Sequence, residues 1–332
     1  MSNNLERIKS NIYLPDPVNK SLRQCGIRDY RILEDISSGR NSNVLILDSE
    51  QKKYVIKKYF CNPNDSRNRL RTEFDFLELM DKMGIACVPK SIGFNQKYGY
   101  GFYSYVEGVR IEDIQDNHIT MAANFIKLIN EKYKPSNFQL ASEACFTYQD
   151  FLKSVRNRIR RLLHDLNGGG NVVEENALNF LEDKIIPKLR NLEKEKSINL
   201  YEDRRILSPS DFGFHNMLEY NGRINFIDFE YAGEDGITKL IGDFVCQPDK
   251  RLTKSQADFF IGNLSGNFDI NLSYLNKIIA ITRLKWTCLI LNVFHDYNLR
   301  KERVPSLDKL DYQEQRLDKA MNYFTNYAED IN

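Results

Sequence analysis

The sequence predicts an α+β fold with two lobes, a small antiparallel β-sheet lobe followed by a larger, mainly helical lobe. At 332 residues the chain is too long for one small hydrophobic core. Short β-branched and aromatic runs separated by turn formers fill the first third, whereas apolar residues recur at helical spacing beyond Gly108. We therefore expect the first lobe over residues 1–107, with 1–29 as a lead-in, and the second over residues 108–332.

Strand and helix signals of the first lobe follow one another in a simple order. Strand-like runs are expected at residues 30–36, 43–48, 54–59, around Ile92 and at 101–106. Between them, apolar residues recur at helical spacing over residues 65–83. This pattern predicts a five-stranded antiparallel sheet with one main helix.

Helical periodicity dominates the second lobe. One amphipathic face runs from Phe151 to Leu163, and the glycine-rich stretch at 167–171 is then expected to break the helix. A second face spans Leu178 to Leu189, and we expect Pro187 to kink or end that helix. Further helices are expected at residues 273–297 and 306–328.

Composition excludes several classes of protein. The net charge of +1 gives no global attraction to nucleic acid or to an anionic membrane. Six scattered cysteines without a C-x-x-C motif indicate free thiols in a reducing compartment rather than a zinc site. The N-terminus lacks the apolar core of a signal peptide, and the longest apolar runs are too short to span a bilayer. We expect a soluble, cytoplasmic protein.

Residues 208–230 carry the most specific pattern. Asp211 and Asn216 form a D-x-x-x-x-N motif, and Asp228 follows the next strand-like run. Between them, Asn221-Gly222 is the strongest short-range signal for a two-residue hairpin turn, because both residues tolerate positive φ. The pattern predicts a hairpin flanked by three polar side chains.

The register of this hairpin predicts which side chains meet. A two-residue turn pairs Tyr220 with Arg223, and counting back brings Asn216 opposite Ile227. Asn216 and Asp228 then lie together at the open end of the hairpin. Their oxygen atoms suit Mg²⁺, while Asp211 remains for a substrate hydroxyl. This arrangement is typical of phosphoryl transfer.

These residues, with the sequence Ile227-Asp228-Phe229-Glu230, resemble the aminoglycoside phosphotransferase and choline kinase family over roughly residues 30–300. The resemblance implies a protein-kinase-like fold, ATP and Mg²⁺ as cofactors, and a small-molecule hydroxyl as acceptor. It also implies that Asp211 is the catalytic acid and that Asn216 and Asp228 bind the metal. Glu230 would support the metal or face the substrate, a plain surface carboxylate being the alternative.

The resemblance extends to the first, nucleotide-binding lobe. The strand ending at Lys57 resembles the V-A-I-K strand, whose lysine reaches the ATP phosphates, although either Lys57 or Lys58 must face solvent. Glu73 resembles the glutamate that orients this lysine. The remaining nucleotide contacts that the resemblance implies come from a phosphate-covering loop and a hinge, at Ser38, Gly39, Ser104 and Val106.

Some features leave alternatives open. Many relatives have His-Gly before the catalytic acid where this chain has Pro209-Ser210, which permits a catalytically weak nucleotide-binding or scaffold module. His215 precedes Asn216 on an expected strand and is therefore interpreted as a packing residue. Trp286 is either a core residue or the wall of a substrate pocket. A protein kinase is disfavoured because no A-P-E segment follows Asp228.

Overall fold

The computed structural model describes residues 13–36, 42–60, 67–134, 138–168, 170–195, 201–295 and 308–328. The chain divides into two compact units, Met1–Glu78 with Pro89–Val106, and Leu79–Val88 with Glu107–Asn332. Helices combined with a five-stranded antiparallel sheet confirm the predicted α+β class.

An antiparallel sheet is the centre of the first unit. Its strands are β1 (Arg31–Ile36), β2 (Ser42–Ser49), β3 (Lys52–Tyr59), β4 (Ser91–Asn95) and β5 (Tyr100–Ser104). The five strands that the sequence predicts are arranged in the order β1-β2-β3-β5-β4. Helix α1 (Asp16–Gln24) lies in the lead-in, and α2 (Arg69–Lys82) is the predicted main helix.

Helix α1 packs onto one face of this sheet. Its Val18 and Leu22 are fully buried in a cluster that includes Ile56 of β3 and Phe102 of β5. Because neighbouring residues on a strand point to opposite faces, Lys57 projects from the other face. The packing of α1 against the face that carries Ile56 therefore determines that Lys57, rather than Lys58, points away from this cluster.

The second unit is mainly helical. Its helices are α3 (Asp116–Lys132), α4 (Tyr148–Leu166), α5 (Val172–Phe180), α6 (Ile186–Glu193), α7 (Ile237–Val245), α8 (Lys254–Ser265), α9 (Leu272–Ile290) and α10 (Lys309–Ala328). Short strands form a β6-β8-β9 sheet and a β10-β7 pair, from β6 (Val109–Arg110), β7 (Arg205–Ser208), β8 (Met217–Tyr220), β9 (Arg223–Phe226) and β10 (Gly233–Gly236).

The predicted helix boundaries are largely confirmed. Helix α4 ends at Leu166, and the Asn171 side chain accepts hydrogen bonds from the first N–H groups of α5, so the glycine-rich stretch does separate two helices. Pro187 does not end a helix. It lies in the first turn of α6, directly after a π-helical turn, Leu181–Ile185, where its missing N–H costs little.

Helix α9 is the central helix of this unit. It packs against α4, α7 and α10 through buried residues such as Ile278, Ile281 and Leu284. By length and composition the segment Leu272–His295 (24 residues) could cross a membrane, because it contains an 18-residue window with a mean hydropathy of 1.3. The shorter apolar runs noted in the sequence did not predict this. Within the fold 61% of that window is buried, which is the environment of a core helix.

A buried group of charges joins α7 to α9. Lys239 lies 2.7 Å from Asp235 and 3.3 Å from Asp243, and Lys285 of α9 also pairs with Asp243. Burial alone would lower the pKa of Lys239, but the two carboxylates raise it above its ordinary value, so the ammonium stays charged. Each charge depends on its partners because water cannot replace them.

We expect Lys239→Met to lower the free energy of unfolding by about 3–5 kcal/mol, because it leaves Asp235 as an uncompensated buried charge. The matched control is Lys250→Met, which removes an equally short pair of 2.7 Å to Glu112, whose side chain is 81% exposed. Because solvent screens this pair, the control should lose far less stability than Lys239→Met. Urea unfolding measures both losses, and equal losses would contradict the role of burial.

Asp203 holds the start of α7. Its Oδ2 accepts hydrogen bonds from the Thr238 backbone N–H at 2.7 Å and from the Thr238 hydroxyl at 2.5 Å. Burial raises the pKa of Asp203 from 3.8 to about 6, against the hydrogen bonds from Thr238, which lower it. The folded protein therefore binds this proton more tightly than the unfolded chain does.

The stability that this proton contributes is complete below pH 3.8 and is lost as pH rises through about 6. Asp203→Asn removes the titration. The unfolding free energy of the wild type minus that of the variant should fall by up to about 3 kcal/mol between about pH 4 and pH 7. Urea unfolding across this range measures the difference, and a difference independent of pH would contradict the assignment.

Candidate active site

The hairpin of the second unit has the predicted turn and register. Asn221 and Gly222 have φ angles of 49° and 70°, as a type I′ turn requires. Tyr220 pairs with Arg223, and the Ile227 N–H donates to the Asn216 carbonyl at 3.0 Å. Asn216 therefore lies opposite Ile227, the residue before Asp228, so the predicted turn and register are confirmed. The joint binding of a metal by Asn216 and Asp228 stays a prediction.

Asn216 also ties the preceding loop to the hairpin. Its side-chain Nδ2 donates to the carbonyl of Asp211 at 3.0 Å, and its backbone N–H donates to the carbonyl of Gly213 at 2.9 Å. The Asn216 Oδ1 is the amide atom with the chemistry of a metal ligand. One residue thus connects the loop that carries Asp211 to the strands that precede Asp228.

Buried aromatic side chains anchor the loop that carries Asp211. Phe212 and Phe214 are 4% and 2% exposed, and both rings pack against Phe244 of α7, with centroids 5.2 Å and 5.4 Å apart. Phe212 also stacks with Phe226 of β9. Buried aromatic contacts of this kind stabilise beyond their area, so the loop is held on both sides of Gly213.

The backbone on either side of the hairpin adopts conformations that non-glycine residues rarely take. Ser210 has a φ of 66°, and the Asp211 N–H donates to the Pro209 carbonyl at 3.0 Å, which is the hydrogen bond of a γ-turn. Asp228 has a φ of 68°. The His-Gly of the resembled family would place glycine at position 210, and here serine adopts the conformation that glycine favours.

Asp228 and Glu230 lie close together although neither is on a strand. Strand alternation along an extended Asp228-Phe229-Glu230 would place both acids on one face, but β9 ends at Phe226, so their positions follow from the turn instead. A carboxylate oxygen of each residue lies within 4.8 Å of one from the other. Glu230 is only 3% exposed, so the alternative of a surface carboxylate is wrong.

His215 is a neighbour of Asp211 that the sequence analysis missed. Residues Phe214–Asn216 form a 3₁₀ turn rather than a strand, and His215 Nε2 lies 3.4 Å from Asp211 Oδ1. Burial would lower the pKa of His215, but Asp211, followed by Asp228 and Asp249, raises it above its ordinary value. The four-residue spacing between Asp211 and His215 was the available signal, because it is the spacing of neighbours on a helical turn.

The expected ion pair of the first unit is present. Lys57 Nζ lies 2.7 Å from Glu73 Oε2, and the two residues are 5% and 4% exposed, whereas Lys58 is exposed. Two tyrosines that the sequence did not suggest complete this cluster. The Tyr59 hydroxyl donates to Glu73 Oε2 at 2.5 Å and lies 2.8 Å from the Tyr103 hydroxyl.

Burial, followed by the charge of Glu73, raises the pKa of Tyr59 well above its ordinary value, so its hydroxyl remains a donor. Tyr103 reaches the cluster because Gly101 leaves room for it. A Cβ at position 101 would lie 2.4 Å from the Tyr103 hydroxyl oxygen. Glu73 therefore receives a hydrogen bond from Tyr59 in addition to its pairing with Lys57.

The remaining predicted residues are placed as follows. Ser104 ends β5, and its backbone N–H donates to the Lys90 carbonyl, while Val106 follows in an irregular segment. Ser38 and Gly39 lie outside the described residues. Trp286 packs against the helical core of the second unit, which matches the core interpretation, and its contact with a substrate stays a prediction. The ligand-binding roles of the other residues likewise stay predictions.

No protein-family model and no curated protein matches the sequence. Solved structures do match the fold. An ethanolamine kinase of Plasmodium vivax is 16% identical, with a TM-score of 0.57 over 89% of this chain and 82% of that one. A choline kinase of Cryptosporidium parvum is 12% identical, with a TM-score of 0.55 over 95% of this chain and 96% of that one.

A spectinomycin phosphotransferase, in complex with ADP and spectinomycin, is 13% identical, with a TM-score of 0.59 over 90% of this chain and 93% of that one. Identities this low establish a common fold and leave the chemistry to be argued from the residues. The chain has the protein-kinase-like fold of choline and ethanolamine kinases and of aminoglycoside phosphotransferases, as its sequence motifs predict.

Proposed function

We propose that this protein is an ATP-dependent phosphotransferase that transfers the γ-phosphoryl group to a hydroxyl of a small molecule. The observation that carries the proposal is the hairpin register, which places Asn216 opposite Ile227, the residue before Asp228. The Asn216 side chain also ties the loop of Asp211 to this hairpin. A carboxylate for the acceptor and oxygen ligands for a metal are the groups that phosphoryl transfer needs.

Asp211 is the residue that we assign to the acceptor. The acceptor oxygen forms a bond to the γ-phosphorus as the bond from phosphorus to the departing ADP oxygen breaks. Asp211 orients the acceptor hydroxyl and accepts its proton. With its side chain 36% exposed, Asp211 is accessible to a dissolved alcohol.

The residues that would hold Mg²⁺ are Asn216 and Asp228, with Glu230 as a supporting acid. The donor set consists of amide and carboxylate oxygens, which is what this hard cation prefers. When bound, Mg²⁺ supplies charge neutralisation of the phosphates. The protein contributes the hairpin register that precedes Asp228 and the approach of the Asp228 and Glu230 carboxylates to within 4.8 Å.

We assign the nucleotide phosphates to Lys57, which Glu73 orients, and to the loop containing Ser38 and Gly39. Ser104 and Val106 are assigned to the adenine edge. The burial and hydrogen bonding of Glu73 support this proposal, because a fixed carboxylate holds the lysine in one rotamer.

A sugar-like, aminoglycoside-like or amino-alcohol acceptor is proposed by analogy with the matched structures. We propose a cytoplasmic enzyme without a nucleic-acid or membrane partner, in keeping with its net charge of +1. ADP release in the presence of ethanolamine, choline, spectinomycin and gentamicin tests the acceptor. Mg²⁺-dependent ATP binding without any ADP release would instead favour the scaffold alternative.

We expect Asp211→Asn to lower the rate of ADP release at least about 100-fold, because the amide is isosteric but cannot accept the proton. The thermal midpoint and ATP affinity should stay close to those of the wild type. Asp258→Asn, on the exposed surface of α8, is the control and should leave the rate unchanged. An Asp211→Asn variant with wild-type turnover would exclude Asp211 as the catalytic acid.

Adjacent lysines test the nucleotide assignment. Lys57→Met should lower kcat/KM for ATP by roughly 10-fold or more, because it removes the cation assigned to the phosphates. Lys58→Met makes the same change one residue later, on an exposed side chain, and should have little effect. Glu73→Gln provides a second variant that keeps the size of the side chain.

Steady-state kinetics and thermal unfolding of all three variants distinguish loss of catalysis from loss of folding. Comparable losses in Lys57→Met and Lys58→Met would reject the assignment of Lys57.

A further inference from the structure

The fold holds His215 against Asp211, and the reaction proposed above assigns no role to this histidine. Its Nε2 lies 3.4 Å from Asp211 Oδ1, somewhat longer than an ideal N–H···O bond. Catalytic hydrogen bonds are often long before substrate binds. The contact arises because the 3₁₀ turn Phe214–Asn216 brings the histidine ring back toward the start of the loop.

Gly213 makes room for the ring. Its φ of −172° is ordinary extended backbone, so the requirement is for space rather than for glycine's conformational freedom. A Cβ at position 213 would lie 2.7 Å from His215 Nδ1 and 2.8 Å from Cε1. Any larger residue at this position would displace the ring from its place near Asp211.

Gln247 fixes the opposite side of the ring. The Gln247 Nε2 lies 3.3 Å from His215 Nδ1, and the Gln247 side chain is 4% exposed. With the amide donating to Nδ1, the ring carries its hydrogen on Nε2, the atom that faces Asp211. The glutamine therefore selects the tautomer that donates to the carboxylate.

The C-terminal helix supports the segment that carries Gln247. The Tyr323 hydroxyl of α10 donates to the Cys246 carbonyl at 2.6 Å, and Lys319 of α10 lies 2.5 Å from Asp249. These contacts lie on either side of Gln247 in the sequence. A chain of contacts thus runs from α10 through Gln247 and His215 to Asp211.

We propose that His215 is a positioning residue for Asp211, an inference that rests on the proposed phosphotransferase function. Its Nε2–H holds Oδ1, which leaves Oδ2 to meet the acceptor hydroxyl. A carboxylate otherwise rotates broadly about its last bond. Because a misplacement of about 1 Å can reduce a rate about 100-fold, one fixed oxygen benefits transfer directly.

The test measures ADP release from MgATP, with water as acceptor and with added choline, ethanolamine or spectinomycin. His215→Leu removes the donor, and we expect kcat to fall roughly 10-fold or more while KM for ATP stays within about twofold. His215→Gln keeps a donor near the position of Nε2 and should recover most of the rate. A purely structural histidine would not give this split or this rescue.

A glycine pair tests the same idea without changing His215. Gly213→Ala should displace the ring and lower kcat, whereas Gly262→Ala, on α8 with no atom within 4 Å of the added Cβ, should leave kcat unchanged. Gln247→Leu should give a smaller loss of kcat. Thermal unfolding of each variant shows whether it folds. If His215→Leu does not fold, Gly213→Ala and Gln247→Leu still test the proposal.

The outcomes separate the two proposals. If the wild type releases ADP and kcat is unchanged in His215→Leu and Gly213→Ala, the positioning role alone is overturned. Equal losses of kcat in His215→Leu and His215→Gln would have the same consequence. A wild-type protein that releases no ADP would overturn the proposed function, and the role of His215 with it. A loss of kcat in His215→Leu that His215→Gln restores supports the inference.

Discussion

The hydrogen bond from the Ile227 N–H to the Asn216 carbonyl determines which side chains of the second unit can act together. Asn216 lies in the turn just before β8 and Asp228 follows the end of β9, so the pairing at this end of the hairpin sets where both residues leave the strands. The Asn-Gly turn fixes the register from one end. The side chain of Asn216, through its bond to the Asp211 carbonyl, ties the preceding loop to the hairpin. Conformational entropy is therefore lost on folding rather than when substrate binds.

Both units bury charged side chains with their partners. Lys57 and Glu73 pair in the first unit, and Lys239 lies between two carboxylates in the second. Such groups contribute modestly to net stability because their desolvation is costly. Removal of one partner is nevertheless costly, because it leaves the other charge buried and uncompensated. Around Glu73, the hydroxyl of Tyr59 adds a further directional contact.

The sequence predicts well what depends on local conformational rules. Asn221-Gly222 specifies a turn, and the turn specifies the pairing of Asn216, so the geometry of the hairpin follows from counting. Strand alternation predicts that one of Lys57 and Lys58 faces solvent, and the resemblance to the V-A-I-K strand selects Lys57 as the other. Packing confirms that choice, because the neighbouring Ile56 lies in the cluster that α1 covers.

Features that depend on contacts distant in sequence were not predictable in this way. The 3₁₀ turn that redirects His215 is stabilised by the packing of Phe214 against α7, 30 residues further along the chain (214 to 244). The burial of Glu230 depends on where β9 ends, and the approach of the Tyr103 hydroxyl to that of Tyr59 depends on an open space at Gly101. Neither has a local sequence signature.

The contact between Gly213 and His215 also constrains the order in which this loop can change. A histidine at position 215 occupies its present place only if position 213 already lacks a Cβ. The reverse order is open, because glycine at 213 is compatible with other residues at 215. Substitutions at positions 213 and 215 are therefore epistatic, because the effect of one depends on the residue at the other. A mutant library or an evolutionary path that changes one position at a time does not measure this dependence.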